Sequence, residues 1–250
     1  MVMAFGVNMK KNWAERIAIA LDLDDLGSAC QIMDRLGDSA KLYKVGPQLF
    51  TRVGPAIIKE IKNRGKNLFL DLKFHDIPNT VAKASESAVE LGVDIFNIHI
   101  SGGMEMMSAS AEATRSKSAK LGIKKPILLG VTVLTSMDEA ELQTLYDTKR
   151  DIESQIIHLA KLANSAGLDG VVASPKEIKL IRRNLGNGFV ILTPGVRTEK
   201  LEGDDQKRIM TPSQAFLDGA DYIVVGRPIY QSPDPVEAFE KILRQIESEV

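Results

Sequence analysis

Asp71, Lys73 and Asp76 stand close together in the segment Asp71-Leu-Lys73-Phe-His-Asp76-Ile-Pro-Asn-Thr80. Side chains two apart on an extended chain share a face, so Asp71 and Lys73 project together. Burying either charge alone is costly, whereas a pair of opposite sign tolerates a partly dry site. Lys44, late in another apolar run, is placed to approach Asp71 from a neighbouring strand. The expected array alternates in sign: Lys44, Asp71, Lys73, Asp76. A purely structural alternative makes Asp71–Lys73 a salt bridge and Asp76 a cap for a helix opening at Pro78. Two charges inside an otherwise apolar strand, pointing away from its helix-facing side, favour the functional reading.

A second cluster suits an anion. The segment Thr193-Pro194-Gly195-Val196-Arg197 ends one apolar run, and Val225-Gly226-Arg227-Pro228 ends the next. Gly226 lets backbone N–H groups approach a ligand closely, and an arginine offers a planar fork to two phosphate oxygens. Residues 197–208 are polar, include Gly203, and have the length of a lid that closes on ligand.

These residues need elements to position them. Short β-rich apolar runs recur at 16–22, 42–46, 67–73, 94–100, 126–134, 168–174, 189–196 and 221–227, each followed by an amphipathic stretch. Eight such units predict a (β/α)8 barrel of the α/β class in one domain spanning 1–250, with residues 1–12 as a variable extension. An open doubly wound sheet is the alternative, but no Gly-rich dinucleotide fingerprint follows the first run. Strand period sharpens the barrel. Ile17, Ile19 and Leu21 oppose Ala18, Ala20 and Asp22; Leu68, Leu70 and Leu72 oppose Phe69, Asp71 and Lys73; Tyr43 and Val45 oppose Leu42, Lys44 and Gly46. The apolar set of each strand is expected against helices and the mixed set inside the barrel. The polar members come late in their strands, at the rim where such barrels place catalysis, and loops after the seventh and eighth strands there often hold phosphate. Helices are expected to open at Pro78, at Thr211-Pro212 and at Asp234-Pro235, the last with Glu237 as a capping-box acid.

Composition sets the outer limits. The chain has 250 residues, 44% hydrophobic and 26% charged, enough for one sizeable core. A net charge of −1, from 32 basic and 33 acidic residues, disfavours a general nucleic-acid or membrane surface. Cys30 is the single cysteine, which excludes an intrachain disulfide and suits a reducing compartment. The apolar start is short and its lysines follow it, unlike a secretory signal.

The pattern Asp-x-Lys-x-x-Asp-Ile-Pro-x-Thr at 71–80 resembles the signature of the orotidine 5′-phosphate decarboxylase family. The resemblance runs on through Ala20-Leu21-Asp22, Lys44-Val45-Gly46, residues 131–136 and 193–197, Asp205-Gln206 and Val225-Gly226-Arg227. It implies conversion of orotidine 5′-phosphate to UMP in pyrimidine synthesis, without metal or cofactor, by a cytoplasmic homodimer with shared active sites. By that resemblance Lys73 stabilises and protonates C6 of the pyrimidine, and Asp71 lies by the substrate carboxylate and holds Lys73. Asp22 and Lys44 bind ribose hydroxyls, and Thr135 contacts the ring. Arg197, Gln206, Gly226 and Arg227 grip the 5′-phosphate or close over it. Asp76 and Thr80 reach into the partner's site, and Ile77 between them joins the substrate contacts. A chain of this length suggests a monofunctional enzyme rather than a fusion.

Two other functions fit parts of the pattern. A magnesium-dependent sugar-phosphate decarboxylase or synthase on a related barrel shares Asp-x-Lys-x-x-Asp, but the Ile77-Pro78-x-Thr80 continuation and the Gln206/Arg227 pair favour the nucleotide enzyme. A non-catalytic phosphate sensor has no need for a lysine between carboxylates. His75, His99 and His158 form no metal motif; His99 is expected at the mouth beside Asn97. Met104, Met106 and Met107 read as packing, and the basic stretch 115–125 as a solvated helix face.

Overall fold

The computed structural model describes residues 12–197 and 210–250. Residues 1–11 of the expected extension, and the part of the expected lid from 198 to 208 with Asp205, Gln206 and Arg208, lie outside them. Eight parallel strands close into a barrel in chain order: β1 Ile17–Ala20, β2 Leu42–Val45, β3 Asn67–Phe74, β4 Ile95–His99, β5 Ile127–Val131, β6 Gly170–Val172, β7 Val190–Thr193 and β8 Tyr222–Val225. β8 pairs with β1 to complete the ring. The strands are mostly shorter than the apolar runs because pairing stops where the chain splays into the loops. Among the described residues, eleven α-helices wrap the barrel. They are α1 Leu26–Leu36, α2 Pro47–Val53, α3 Ala56–Asn63, α4 Pro78–Glu90, α5 Gly103–Leu121 and α6 Glu139–Tyr146, followed by α7 Ile152–Ser165, α8 Ile178–Leu185, α9 Pro212–Asp218, α10 Arg227–Tyr230 and α11 Pro235–Glu249.

The two-residue period decides which side chains go where. Ala18, Leu42, Phe69, Ile95, Leu129 and Leu192 form a small core inside the barrel. Their neighbours Ile17, Ile19, Leu68, Leu70, Phe96 and Ile98 join the larger core between strands and helices. Met106 and Met107 are fully buried in that outer core, as packing residues. Asp234 caps α11, accepting from the N–H groups of Val236 and Glu237 at 3.1 and 3.2 Å. The reciprocal half of the expected capping box is not formed. Glu237 pairs with Arg244 two turns on, while the Asp234 N–H donates to Ser232 Oγ.

Expectation and structure part company most usefully in β3. Leu70 pairs with Phe96 and Phe74 with Ile98, so four steps along β3 match two along β4. Residues 71–73 therefore arch out of the ladder, and Lys73 takes φ +51°, in the left-handed region. Simple alternation does not describe this arch.

A repeated clasp tightens the opposite end of the barrel. Asp94, Asp169 and Asp221 each precede an even-numbered strand. Their N–H groups donate to the carbonyls of Leu68, Leu128 and Ile191 at 3.0, 3.0 and 2.8 Å. Their carboxylates accept from the N–H groups of those same residues at 2.7, 2.8 and 2.8 Å. Lys62, Lys125 and Arg182 neutralise the three carboxylates. Alanine at Asp169 strands the Leu128 N–H, so we expect about 1–3 kcal/mol lower stability in urea unfolding. Asparagine, which keeps an acceptor, should recover most of it, and turnover per folded molecule should not change.

Candidate active site

A cavity of about 290 Å³ opens at the C-terminal rim of the barrel. Its floor is apolar, made by Ala20, Phe69, Val131, Val172, Leu192 and Val224. Its walls carry residues expected from sequence: Asp22 after β1, Lys44 in β2, Asp71 and Lys73 in β3, Thr135 after β5, Arg197 after β7, and Gly226 and Arg227 after β8.

Four of these side chains form a continuous chain of ion pairs. Lys44 Nζ lies 2.9 Å from Asp22 Oδ1 and 3.5 Å from Asp71 Oδ2. Lys73 Nζ donates to Asp71 Oδ1 at 2.7 Å. The array within one chain is thus Asp22–Lys44–Asp71–Lys73, with no net charge. Its centre is the drier part, the side chains of Lys44 and Asp71 being 9% and 14% exposed against 41% for Asp22. Removing one member there would leave a poorly solvated charge, which makes the array mutually dependent. Gly46 makes room for it: a Cβ there would lie 3.0 Å from Lys44 Nζ and 3.3 Å from Asp22 Oδ1.

Asp76, expected as the fourth charge, takes no part in this array. Its carboxylate turns back to accept from the Ile77 N–H at 2.7 Å. Asp76, Ile77 and Thr80 are exposed at the start of α4, outside the cavity lining. His99 also lies outside the lining, its ring 5.4 Å from that of His75. Burial, then the nearby His75 and Lys73, push its pKa down and favour the neutral imidazole.

The end expected to take an anion is built from backbone and arginine together. Arg197 is buried, and its N–H donates to the Met210 carbonyl at 3.0 Å, tying the ends of the loop after β7. Gly226 follows β8 directly, where a Cβ would meet Ala20 Cβ at 3.2 Å. Two residues were not singled out from sequence. Tyr230, in α10, lines the cavity, and burial followed by the Asp22 charge pushes its phenol pKa up. Asn97, in β4, is fully buried and touches both Asp71 and Lys73. An amide inside the apolar run Ile95–His99 was the one available signal for it.

Residues 15–242 match the family described as Orotidine 5'-phosphate decarboxylase / HUMPS family. The chain belongs to this family. It is 48% identical over 233 residues to the orotidine 5′-phosphate decarboxylase of Moorella thermoacetica, covering 93% of this chain and 92% of that protein. It is 49% identical over 232 residues to the decarboxylase of the same name from Syntrophotalea carbinolica, covering 93% and 95%. Among solved structures, the orotidine 5′-phosphate decarboxylase of Lactobacillus acidophilus superposes with a TM-score of 0.82 at 36% identity, covering 92% of this chain and 99% of that one. Asp71 and Lys73, the two β3 residues of the pattern that carried the resemblance, both line the cavity.

Proposed function

We propose that this protein decarboxylates orotidine 5′-phosphate to UMP and CO2. The observation that carries the reading is the pairing, in one cavity, of the Asp71–Lys73 ion pair with an arginine-and-glycine anion corner across an apolar floor. A flat pyrimidine suits the floor, a ribose the Asp22–Lys44 pair, and a phosphate the Gly226 backbone and Arg227. The relatives at 48–49% identity carry the decarboxylase name over nearly their whole length.

In the proposed reaction the bond between C6 and the carboxylate breaks and its electron pair stays on C6. The Lys73 ammonium, fixed before the reaction begins, stabilises that pair electrostatically. Its proton then passes to C6, giving UMP, and Lys73 is reprotonated from solvent through the open mouth. Asp71 beside the departing carboxylate raises the ground state, and phosphate binding far from C6 supplies energy for that arrangement. No step calls on a metal or cofactor. Loss of the orotate absorbance on adding orotidine 5′-phosphate to chelator-treated protein tests the reading; an unchanged spectrum overturns it.

The exposed trio Asp76, Ile77 and Thr80 extends the proposal to a homodimer in which each chain completes its partner's cavity. Ile77 is 68% exposed, an unusual position for a large apolar side chain beside a charged rim. A mixture of Lys73→Ala and Asp76→Ala proteins should recover activity that neither has alone. Half the exchanged dimers carry one intact site, about a quarter of all sites. No recovery, once mass spectrometry has established subunit exchange, would make Asp76 a residue of its own barrel. The reducing cytoplasm is the proposed compartment, in keeping with the free thiol of Cys30.

A further inference from the structure

We infer that Asn97 is a positioning residue for the reaction, holding the β3 arch in the one shape that aims the Lys73 ammonium. The inference rests on the proposed role of Lys73. Opposite the arch, β4 offers a single residue between the ladder partners Phe96 and Ile98, and that residue is Asn97. Its side chain replaces the ladder bonds that the arch forgoes. Asn97 Oδ1 accepts from the Lys73 N–H at 2.8 Å, and Asn97 Nδ2 donates to Asp71 Oδ1 at 2.7 Å.

Each bond answers a specific need. Lys73 sits at φ +51°, a conformation that a side-chain-bearing L residue adopts only when its surroundings hold it there. Asn97 Oδ1 is the acceptor that captures its N–H. Asp71 Oδ1 receives two donors, Asn97 Nδ2 and Lys73 Nζ, which sets the carboxylate's rotation and leaves Oδ2 facing Lys44. A carboxamide alone supplies one acceptor and one donor in this order. Aspartate lacks the donor, an aliphatic residue lacks both, and glutamine is a methylene too long for a side chain that is 0% exposed. The backbone of the proton donor and the carboxylate beside it are thus locked to each other through a third residue that does not line the cavity.

The test uses the full chain with Asn97→Ala and Asn97→Asp. Misaiming an ammonium by about an ångström costs roughly 10²-fold in turnover. We expect kcat for orotidine 5′-phosphate to fall by about that factor in both variants, with UMP affinity changed less than threefold. Amide exchange at Lys73, followed in 15N-lysine protein, should be slow in the wild type. It should be at least about tenfold faster in Asn97→Ala, and slow in Asn97→Asp, which keeps the acceptor. If alanine prevents folding, the isosteric aspartate carries the kinetic arm. A kcat within threefold of wild type, equal losses in kcat and UMP affinity, or rapid Lys73 exchange in the wild type would each overturn the inference. Failure of the wild type to consume orotidine 5′-phosphate would instead remove the decarboxylase reading, leaving the exchange result to stand by itself.

Discussion

Alanine at position 73 is expected to give a folded barrel that binds UMP and scarcely decarboxylates. Lys73 is assigned two functions, stabilising charge at C6 and delivering the proton. Preorganised electrostatic groups and positioned proton donors are each worth at least about 10²-fold, so a joint loss on the order of 10⁴-fold or more is expected. The fold should survive because Asp71, though largely buried, keeps a donor, Asn97 Nδ2 at 2.7 Å, and an ion-pair partner, Lys44 Nζ at 3.5 Å. The phosphate corner and the Asp22–Lys44 pair are untouched, so UMP titration should still saturate. A variant that retains more than about a tenth of wild-type turnover would rule out Lys73 as proton donor, since among the described residues the other lysine lining the cavity is Lys44, whose Nζ is already held by two carboxylates.

Arg227→Ala is expected to separate two substrates that differ only in a phosphate. Charge-assisted bonds from an arginine fork contribute about 1.5–3 kcal/mol. At about 1.4 kcal/mol per factor of ten, kcat/KM for orotidine 5′-phosphate should fall roughly 10- to 100-fold or more. The bare nucleoside, orotidine, has nothing for Arg227 to hold, and its slower turnover should change little. The ratio of the two losses measures how far remote binding energy is used in the transition state. Equal losses for both substrates would mean that Arg227 serves the barrel rather than the phosphate. The buried Arg197 makes a less clean probe, because removing its side chain also empties a buried position.

Much of this site can be read from the chain. Asp71 and Lys73 do meet, although across an arch rather than along a regular strand, and Lys44 does reach Asp71 from the neighbouring strand. Gly226 and Arg227 fall after the eighth strand, where a phosphate end was expected. The fold was legible for a simple reason: side chains on a strand alternate, so Ile17, Ile19, Leu68 and Leu70 against Ala18, Ala20 and Phe69 already separate an outer layer from an inner one. Proline and capping residues mark where α4, α9 and α11 begin, because those signals act over three or four residues and need no partner.

Features that depend on distant parts of the chain were not legible. The run Leu68-Phe-Leu-Asp-Leu-Lys73 reads as an uninterrupted strand, and nothing local announces that its ladder skips two residues. Register against β4 decides that, and with it the left-handed Lys73 and the place of Asn97 in the array. Likewise the end of the charge array passed from Asp76 to Asp22, because the pairing of Ala20 with Lys44 brings the end of β1 beside β2. The amino-acid sequence by itself determined the barrel, the inward-facing charges and their end of the strands, all of which follow from short-range periodicity. Only the tertiary structure decided which charges touch and what shape the backbone takes beneath them, because hydrogen-bond register is shared between strands and belongs to neither.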